Sequence, residues 1–463
     1  MSRPSVLDAK WRSLLNSPIH DDSLCAQQLL DAFREIEHDR FDLGAMAGPR
    51  YRHDPGYRWL PYKEAFSPDL VRAILAHWSA IEGVLLDPFA GSGTSLLVAL
   101  EQGLDAVGVE LLPYACWAAD VVVRAHQADG AALRDIVTSA TAIARTRSVS
   151  EGGALPVPAA SWALSAEVTG ALLALRGALP ARGSGIEAGL AHLALLSVVE
   201  RVSVAVKDGT SLRHRERERP GRTTRPGRKG QKLTSSQVFD IFVTAADAIA
   251  DDVPKMPDGG PGRVLLGDAR RLPLGCETVG AAVFSPPYPN RYDYSALYQL
   301  ELALGGFVHS PEGLRRVRKS LLRSHLEAPS ADDPILDDPG VVAVLRAVAA
   351  AAKGGPSERG RTLRMLVGYF DDMQYVLAEL ARVLRPGAPA ACVVATQTYF
   401  GHPVPTDVML ASLARRAGLL VEQLWVLRRK GVAVQQRSRG QVASTGGRES
   451  VLLLRRPASA ATY

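Results

Sequence analysis

A chain of 463 residues, 47% of them hydrophobic, buries a large core and exceeds one simple domain. No apolar stretch approaches the roughly 20 uncharged residues of a membrane span, and the N-terminus carries charges where a signal peptide needs an apolar core, so a cytosolic protein is expected. The net charge of +6 permits a polyanionic partner without specifying one, and Cys25, Cys116, Cys276 and Cys392 show no CxxC spacing, which points to neither a zinc site nor a disulfide framework.

The first 56 residues mix Arg, Asp and Pro without sustained periodicity apart from a helix expected over Ser23–Ile36, and read as an ordered, peripheral arm. Ser67-Pro68 opens a helix through Trp78, with Ser as cap and Pro in the first turn. Gly83–Asp87 and Ala106–Glu110 read as short buried strands flanking a helix over Thr94–Gln102, which makes one β-α-β unit. Further strands are expected at Arg263–Leu266, running to Gly267-Asp268, and at Ala281–Phe284, running into Ser285. A helix over Asp371–Leu384 and the turn Arg385-Pro386-Gly387 precede the apolar run Ala390–Ala395, and Leu419–Leu427 and Ser450–Leu454 fit two antiparallel strands. Strands alternating with helices predict an α/β sheet covered on both faces, with ligands at the strand C-terminal ends, where Asp87, Glu110, Asp268 and Ser285 all fall.

The loop Asp87-Pro88-Phe89-Ala90-Gly91-Ser92-Gly93-Thr94 brings backbone close to a ligand at Gly91 and Gly93, while Ser92 and Thr94 are expected to cap the helix that follows. It lacks the Gly-Lys-Ser/Thr of a triphosphate loop, and Leu96 stands where Gly-x-Gly-x-x-Gly needs its third glycine. Glu110, about 20 residues on at the second strand tip, suits two ribose hydroxyls, so an adenosine-containing cofactor is expected. In Ser285-Pro286-Pro287-Tyr288 the prolines stiffen a loop whose carbonyls become fixed acceptors for an amine, and Tyr288 offers a face and a hydroxyl to a planar ring. Taken alone, that tetrapeptide is more commonly a turn ending a strand.

Together the two motifs resemble those of the DNA amino-methyltransferases, S-adenosylmethionine-dependent enzymes that methylate cytosine N4 or adenine N6. Ser-Pro-Pro-Tyr is the form more usual in the N4-cytosine enzymes. The likeness covers about two-thirds of the chain and implies a Rossmann-like class I methyltransferase sheet, mostly parallel, with an antiparallel C-terminal hairpin. It implies Ser285, Pro286, Pro287 and Tyr288 as the catalytic loop. Around S-adenosylmethionine it places Lys63 and Phe66, from the segment Tyr62–Phe66 that closes over the methionine moiety, with Asp87, Phe89, Gly91, Ser92, Gly93, Thr94, Glu110 on the ribose, Asp268 on the adenine amine, and Ala269. Arg382–Gly387 and Arg448-Glu449-Ser450 resemble later landmarks with structural or base-pocket roles.

A departure from the family falls between Glu110 and Asp268, where an insertion over residues 128–260 replaces a short connecting helix. The expected organisation is thus an arm (1–56), a methyltransferase domain (57–127 and 261–457) and a largely helical insertion, with helices over Ala166–Leu175 and Ile186–Val206, as the candidate target-recognition region. Its loop 213–232 holds Arg213, Arg215, Arg217, Arg219, Arg222, Arg225, Arg228, Lys229 and Lys232 against Glu216 and Glu218, which reads as phosphate contact or as a solvated charge run. Arg315–Arg323, with His325 just beyond, reads as further backbone contact or a solvated helix face. No covalent intermediate is needed for amine methylation, Asp293 is a candidate orienting residue or proton acceptor, and Tyr292, Tyr294 and Tyr298 are equally packing or base contacts. Duplex DNA is the expected partner, with a bacterial, nucleoid-associated location, a homodimer and a cognate restriction or defence partner as further expectations. N6-adenine methylation, RNA methylation and a non-catalytic DNA-binding role are the alternatives.

Overall fold

The computed structural model describes residues 13–15, 22–44, 54–60, 62, 65, 67–78, 80–147, 153–207, 211–214, 233–330, 334–352, 355–429 and 447–458. Its central sheet contains β1 (Glu37–Asp39), β2 (Val84–Asp87), β3 (Ala106–Glu110), β4 (Gly262–Leu266), β5 (Val279–Phe284), β6 (Pro389–Ala395), β7 (Leu420–Arg429) and β8 (Arg448–Arg455). The order across the sheet is β1-β7-β8-β6-β5-β2-β3-β4. From β4 to β6 all pairings are parallel, β8 runs antiparallel to both β6 and β7, and β1 lies parallel to β7. This is the Rossmann-like methyltransferase sheet with its reversed C-terminal hairpin. The chain changes direction of winding at β2, between β3 and β5, and that switch point opens a crevice at the strand C-terminal ends.

Burial on both faces explains why the central strands read as apolar runs. Every residue of β5 and β6 is buried. Ala281 and Val283 join one core, whereas Ala282 and Phe284 join the core on the opposite face, as the two-residue period of a strand requires. Ser67 caps the helix Pro68–His77 through Asp69 N–H, with Pro68 in its first turn.

Element boundaries shift where tertiary contacts override local pattern. The N-terminal helix covers Asp22–Asp31 and stops before β1, which Leu424 N–H holds to the Ile36 carbonyl at 2.8 Å and which Glu37 anchors through Arg448 and Arg429. The N-terminal segment therefore supplies an edge strand. The helix expected from Asp371 begins at Pro356 and runs to Val383. Gly360 and Gly368 discourage so long a helix, but Gly368 makes room for Arg323, since a Cβ there would stand 2.9 Å from Arg323 Cδ. The helix expected over Ile186–Val206 ends at Ser197, and Ala205–Val206 pairs with Arg213–His214 as a short hairpin.

In the insertion, helices Gly130–Thr146, Ala166–Ala178, Ile186–Ser197 and Ser235–Asp252 pack on one another. Three are capped by side chains: Asp129 accepts from Ala131 N–H, Ser165 from Val168 N–H, and Thr234 forms a capping box with Gln237. Polar contacts at two buried carboxylates, Asp252 and Glu301, help to join this segment to the rest. Asp252 accepts two hydrogen bonds from Arg58, each 2.7 Å, and one from Trp59 Nε1 at 2.8 Å, while Lys207 pairs with Glu301.

Candidate active site

The crevice at the switch point is walled by the loop after β2, the tip of β3, Gly267–Ala269 after β4, and Ser285 and Pro287 after β5. Three of the four strand-end polar residues reach it: Glu110, Asp268 and Ser285. The fourth, Asp87, is 1% exposed and is turned into its own loop, where it accepts from Phe89 N–H at 2.9 Å and from the Ser95 hydroxyl. Burial pushes its carboxyl up to about 7, against the pull of those two donors. Asp87 thus shapes the loop and is not on the cavity wall.

The loop's conformation is set by glycine. Gly91 and Gly93 sit at φ of 51° and 81°, and Gly93 itself is the N-cap of the helix Thr94–Glu101, which has no side-chain cap. Ser92 and Thr94, expected as caps, instead lie 3.2 Å apart, hydroxyl to hydroxyl. A left-handed cap residue leaves the N–H groups of the first turn to a ligand. A Cβ on Gly91 would come within 3.1 Å of the Tyr62 ring. In β3, a Cβ on Gly108 would meet Leu96 at 2.7 Å and Ala90 at 2.8 Å, so this glycine admits the loop against the strand.

Glu110 joins the two. One carboxylate oxygen accepts from Leu112 N–H at 2.8 Å and the other from Gly91 N–H at 2.9 Å. Each oxygen keeps a further lone pair, and the carboxylate lines the cavity, so two adjacent acceptors are presented as vicinal hydroxyls require. Burial raises its carboxyl above the usual range, with the backbone donors opposing. Phe89, Gly91, Ser92, Thr94 and Ala269 also lie on the wall, whereas Gly93 does not. Asp268 is on the wall but also pairs with Arg270 at 2.7 Å, and Arg270 continues to Asp372 at 3.1 Å. Lys63 and Phe66 fall outside the described residues; Tyr62 and Ala65 from the same segment line the cavity.

In the loop Ser285–Tyr288, Ser285 Oγ donates to the Val393 carbonyl at 3.1 Å and lies 3.3 Å from the Tyr288 hydroxyl. When its proton goes to Val393, the hydroxyl can accept from Tyr288 and keeps one further lone pair toward the cavity. Pro287 lines the cavity; Pro286 and Tyr288 are not on the wall, and Tyr288 packs against the core beneath. The ring surface expected from Tyr288 is supplied by Tyr62, Tyr292 and Tyr294. Tyr62 stacks on Tyr298 at 5.0 Å and on Tyr294 at 6.1 Å.

Asp293 caps the short helix Tyr294–Leu297 and pairs with Arg318 at 2.7 Å, so its charge is spent on structure. Arg323 pairs with both Asp371 and Asp372, which commits a second member of the basic run internally. That pairing anchors the stretch Leu321–His325, whose Leu321, Leu322, Ser324 and His325 complete the cavity wall. Only His325, noted beside the basic run, gave any signal in the sequence. Arg382 donates to the Leu272 and Leu274 carbonyls, and Arg448 and Ser450 both bond Asp407, which makes these landmarks structural. In the basic loop Arg213 is exposed, while Arg215, Arg217, Arg219, Arg222, Arg225, Arg228, Lys229 and Lys232 lie outside the described residues.

The fold and the composite loop site define a class I methyltransferase. A family model for DNA methylases of the N6/N4 amino type matches residues 38–120, which span β2, the glycine loop and β3. The type II methyltransferase M.BsoBI of Geobacillus stearothermophilus is 25% identical, covering 87% of this chain and 86% of its own length. The type II methyltransferase M.AvaI of a Nostoc strain is 27% identical, covering 92% and 91%. A solved methyltransferase structure from Methanosarcina mazei covers 83% of this chain and 98% of its own at 8% identity and a TM-score of 0.29, a likeness that adds nothing to the fold described above. Over residues 38–120, and over most of its length, the chain is similar to DNA amino-methyltransferases, and S-adenosylmethionine is its cofactor. The wall fits that group through the paired Glu110 acceptors, the close backbone at Gly91 and the half-buried Phe89 ring.

Proposed function

We propose that the protein methylates the exocyclic N4 amine of a cytosine extruded from duplex DNA. The observation that carries this reading is Ser285 Oγ, aimed by the Val393 carbonyl and lining the same cavity as Glu110. The cofactor supplies an activated methyl group. Glu110 holds the ribose hydroxyls, and Gly91 lets the backbone approach closely. Ser285 accepts one N–H of the target amine, which draws the nitrogen toward the tetrahedral geometry that attack requires. The methylated ammonium on an aromatic ring is strongly acidic and loses its extra proton to water, so a strong base is not needed. Tyr62, Tyr292 and Tyr294 offer ring faces to the extruded base. Ser, in place of Asp or Asn, at the head of the loop favours cytosine N4 over adenine N6.

The helical insertion, residues 128–260, is the proposed target-recognition region, its basic loop 213–232 contacting phosphates. A cognate restriction partner accompanies this reading, because the relatives are type II methyltransferases. Transfer of labelled methyl groups to unmethylated duplex DNA, with structured RNA as the competitor, tests the proposal. Label is expected in DNA, with at least a hundredfold loss of rate in Ser285→Ala at unchanged cofactor affinity, on the order of losing one transition-state acceptor. Label confined to RNA, or an undiminished Ser285→Ala, would contradict it.

A further inference from the structure

The wall opposite the glycine loop contains a side chain whose chemistry the proposed reaction has not used. His325 is 1% exposed, lines the cavity together with Ser285, Tyr292 and Tyr294, and neither Nδ1 nor Nε2 reaches hydrogen-bond geometry with a partner among the described residues, the Arg318 backbone being the acceptor that acts on the ring. Buried polar atoms are nearly always satisfied, and each one left over is destabilising. A leucine would fill the same space without that cost. The segment is also firmly held: Arg323 is tied to Asp371 and Asp372, and Arg291 N–H donates to the Ser324 carbonyl at 3.1 Å. An unsatisfied imidazole on so fixed a support is unlike a core histidine such as His192, whose Nε2 lies 2.8 Å from the Pro180 carbonyl.

We propose that His325 contacts the target base, donating a hydrogen bond to the ring acceptor beside the amine that Ser285 engages. In cytosine that acceptor is N3, and in adenine it is N1. The inference rests on the amino-methyltransferase reading and adds to it the group that holds the base in register. Burial lowers the imidazole's affinity for a proton, so the ring is neutral and offers one donor and one acceptor. The neighbouring Asp293 carboxylate is neutralised by Arg318, and so does not compete for the ring as a full charge. Ser285 and His325 then grip the amine and its flanking ring atom from two walls.

The test compares wild type with His325→Leu and His325→Gln in three measurements: thermal midpoint, calorimetric affinity for S-adenosylmethionine, and single-turnover methyl transfer to unmethylated plasmid DNA. His325→Leu is expected to keep or raise the midpoint, to hold cofactor affinity within about twofold, and to lose roughly tenfold or more in transfer rate, the equivalent of one hydrogen bond. His325→Gln, which retains a donor at a similar reach, is expected to recover part of the rate. His325→Phe, which also removes the donor, carries the same comparison should the leucine variant fail to accumulate. Wild-type transfer rate in His325→Leu overturns the inference, as does a loss of cofactor affinity that accounts for the whole rate change. A wild-type protein that transfers no label to DNA fails the parent reading instead, and is a distinct result.

Discussion

Replacing Lys207 by methionine isolates one of the polar contacts between residues 128–260 and the rest of the chain. The ammonium side chain is 5% exposed, pairs with Glu301 at 2% exposure, lies 3.6 Å from Glu200, and sits 4.5 Å from the centre of the Tyr298 ring. Lys207 engages Glu301 Oε1 while Oε2 has no hydrogen-bond partner, so removing the ammonium strands a buried carboxylate. Breaking such a pair from one side costs about 3–5 kcal/mol, whereas removing both charges together costs far less. Glu301 escapes by protonation: burial already raises its carboxyl, and loss of Lys207 raises it further. A carboxyl raised in the folded state contributes stability at acid pH that is lost as pH rises, so the defect of Lys207→Met is largest near pH 8 and shrinks toward pH 5. Urea unfolding followed by tryptophan fluorescence at both pH values measures it. A cost of about 3 kcal/mol at pH 8, largely restored in Lys207→Met/Glu301→Leu, is expected. A cost under about 1 kcal/mol, or a double variant no better than the single, would refute the reasoning.

Glu110→Gln removes the charge from the proposed ribose acceptor and should weaken calorimetric binding of S-adenosylmethionine by roughly tenfold or more, since charge-assisted hydrogen bonds contribute about 1.5–3 kcal/mol. An affinity within twofold of wild type would count against Glu110 as a ligand. Asp87, raised from 3.8 to about 7, favours the folded state when protonated, so its contribution is present below about pH 4 and is lost as pH rises through 7. Relative to Asp87→Asn, wild-type stability should therefore fall by up to about 4 kcal/mol between pH 4 and pH 8, and parallel unfolding curves would show that Asp87 is not held this way. Arg58→Ala leaves Asp252, which is wholly buried, with Trp59 and Lys255 as its remaining partners, and should cost about 3 kcal/mol in the same unfolding assay.

How much was legible depended on whether a residue's local pattern decided its role. The central strands announced themselves because β5 and β6 are buried on both faces, and Glu110 because a strand tip opposite a glycine loop has few other uses. Asp87 misleads for the same reason: an acid at a strand end looks like a ligand, but its carboxylate turns back to Phe89 and Ser95. Ser92 and Thr94 have cap chemistry, yet the left-handed Gly93 takes the cap position. The polar triplet Glu37-His38-Asp39 carries no strand signal, because edge pairing to β7 and two arginines hold it. The Leu321–His325 wall was hidden because its place is fixed by Arg323 reaching two aspartates about 50 residues away, a contact that no local pattern encodes.

The most direct measurement is mass spectrometry of nucleosides from the DNA of a methylation-free host expressing the protein. N4-methylcytosine, present with wild type and absent with Ser285→Ala, is the expected result. N6-methyladenine alone would contradict the base assignment while leaving amine methylation intact, and DNA free of both methylated bases in cells that accumulate the folded protein would contradict the proposed function itself.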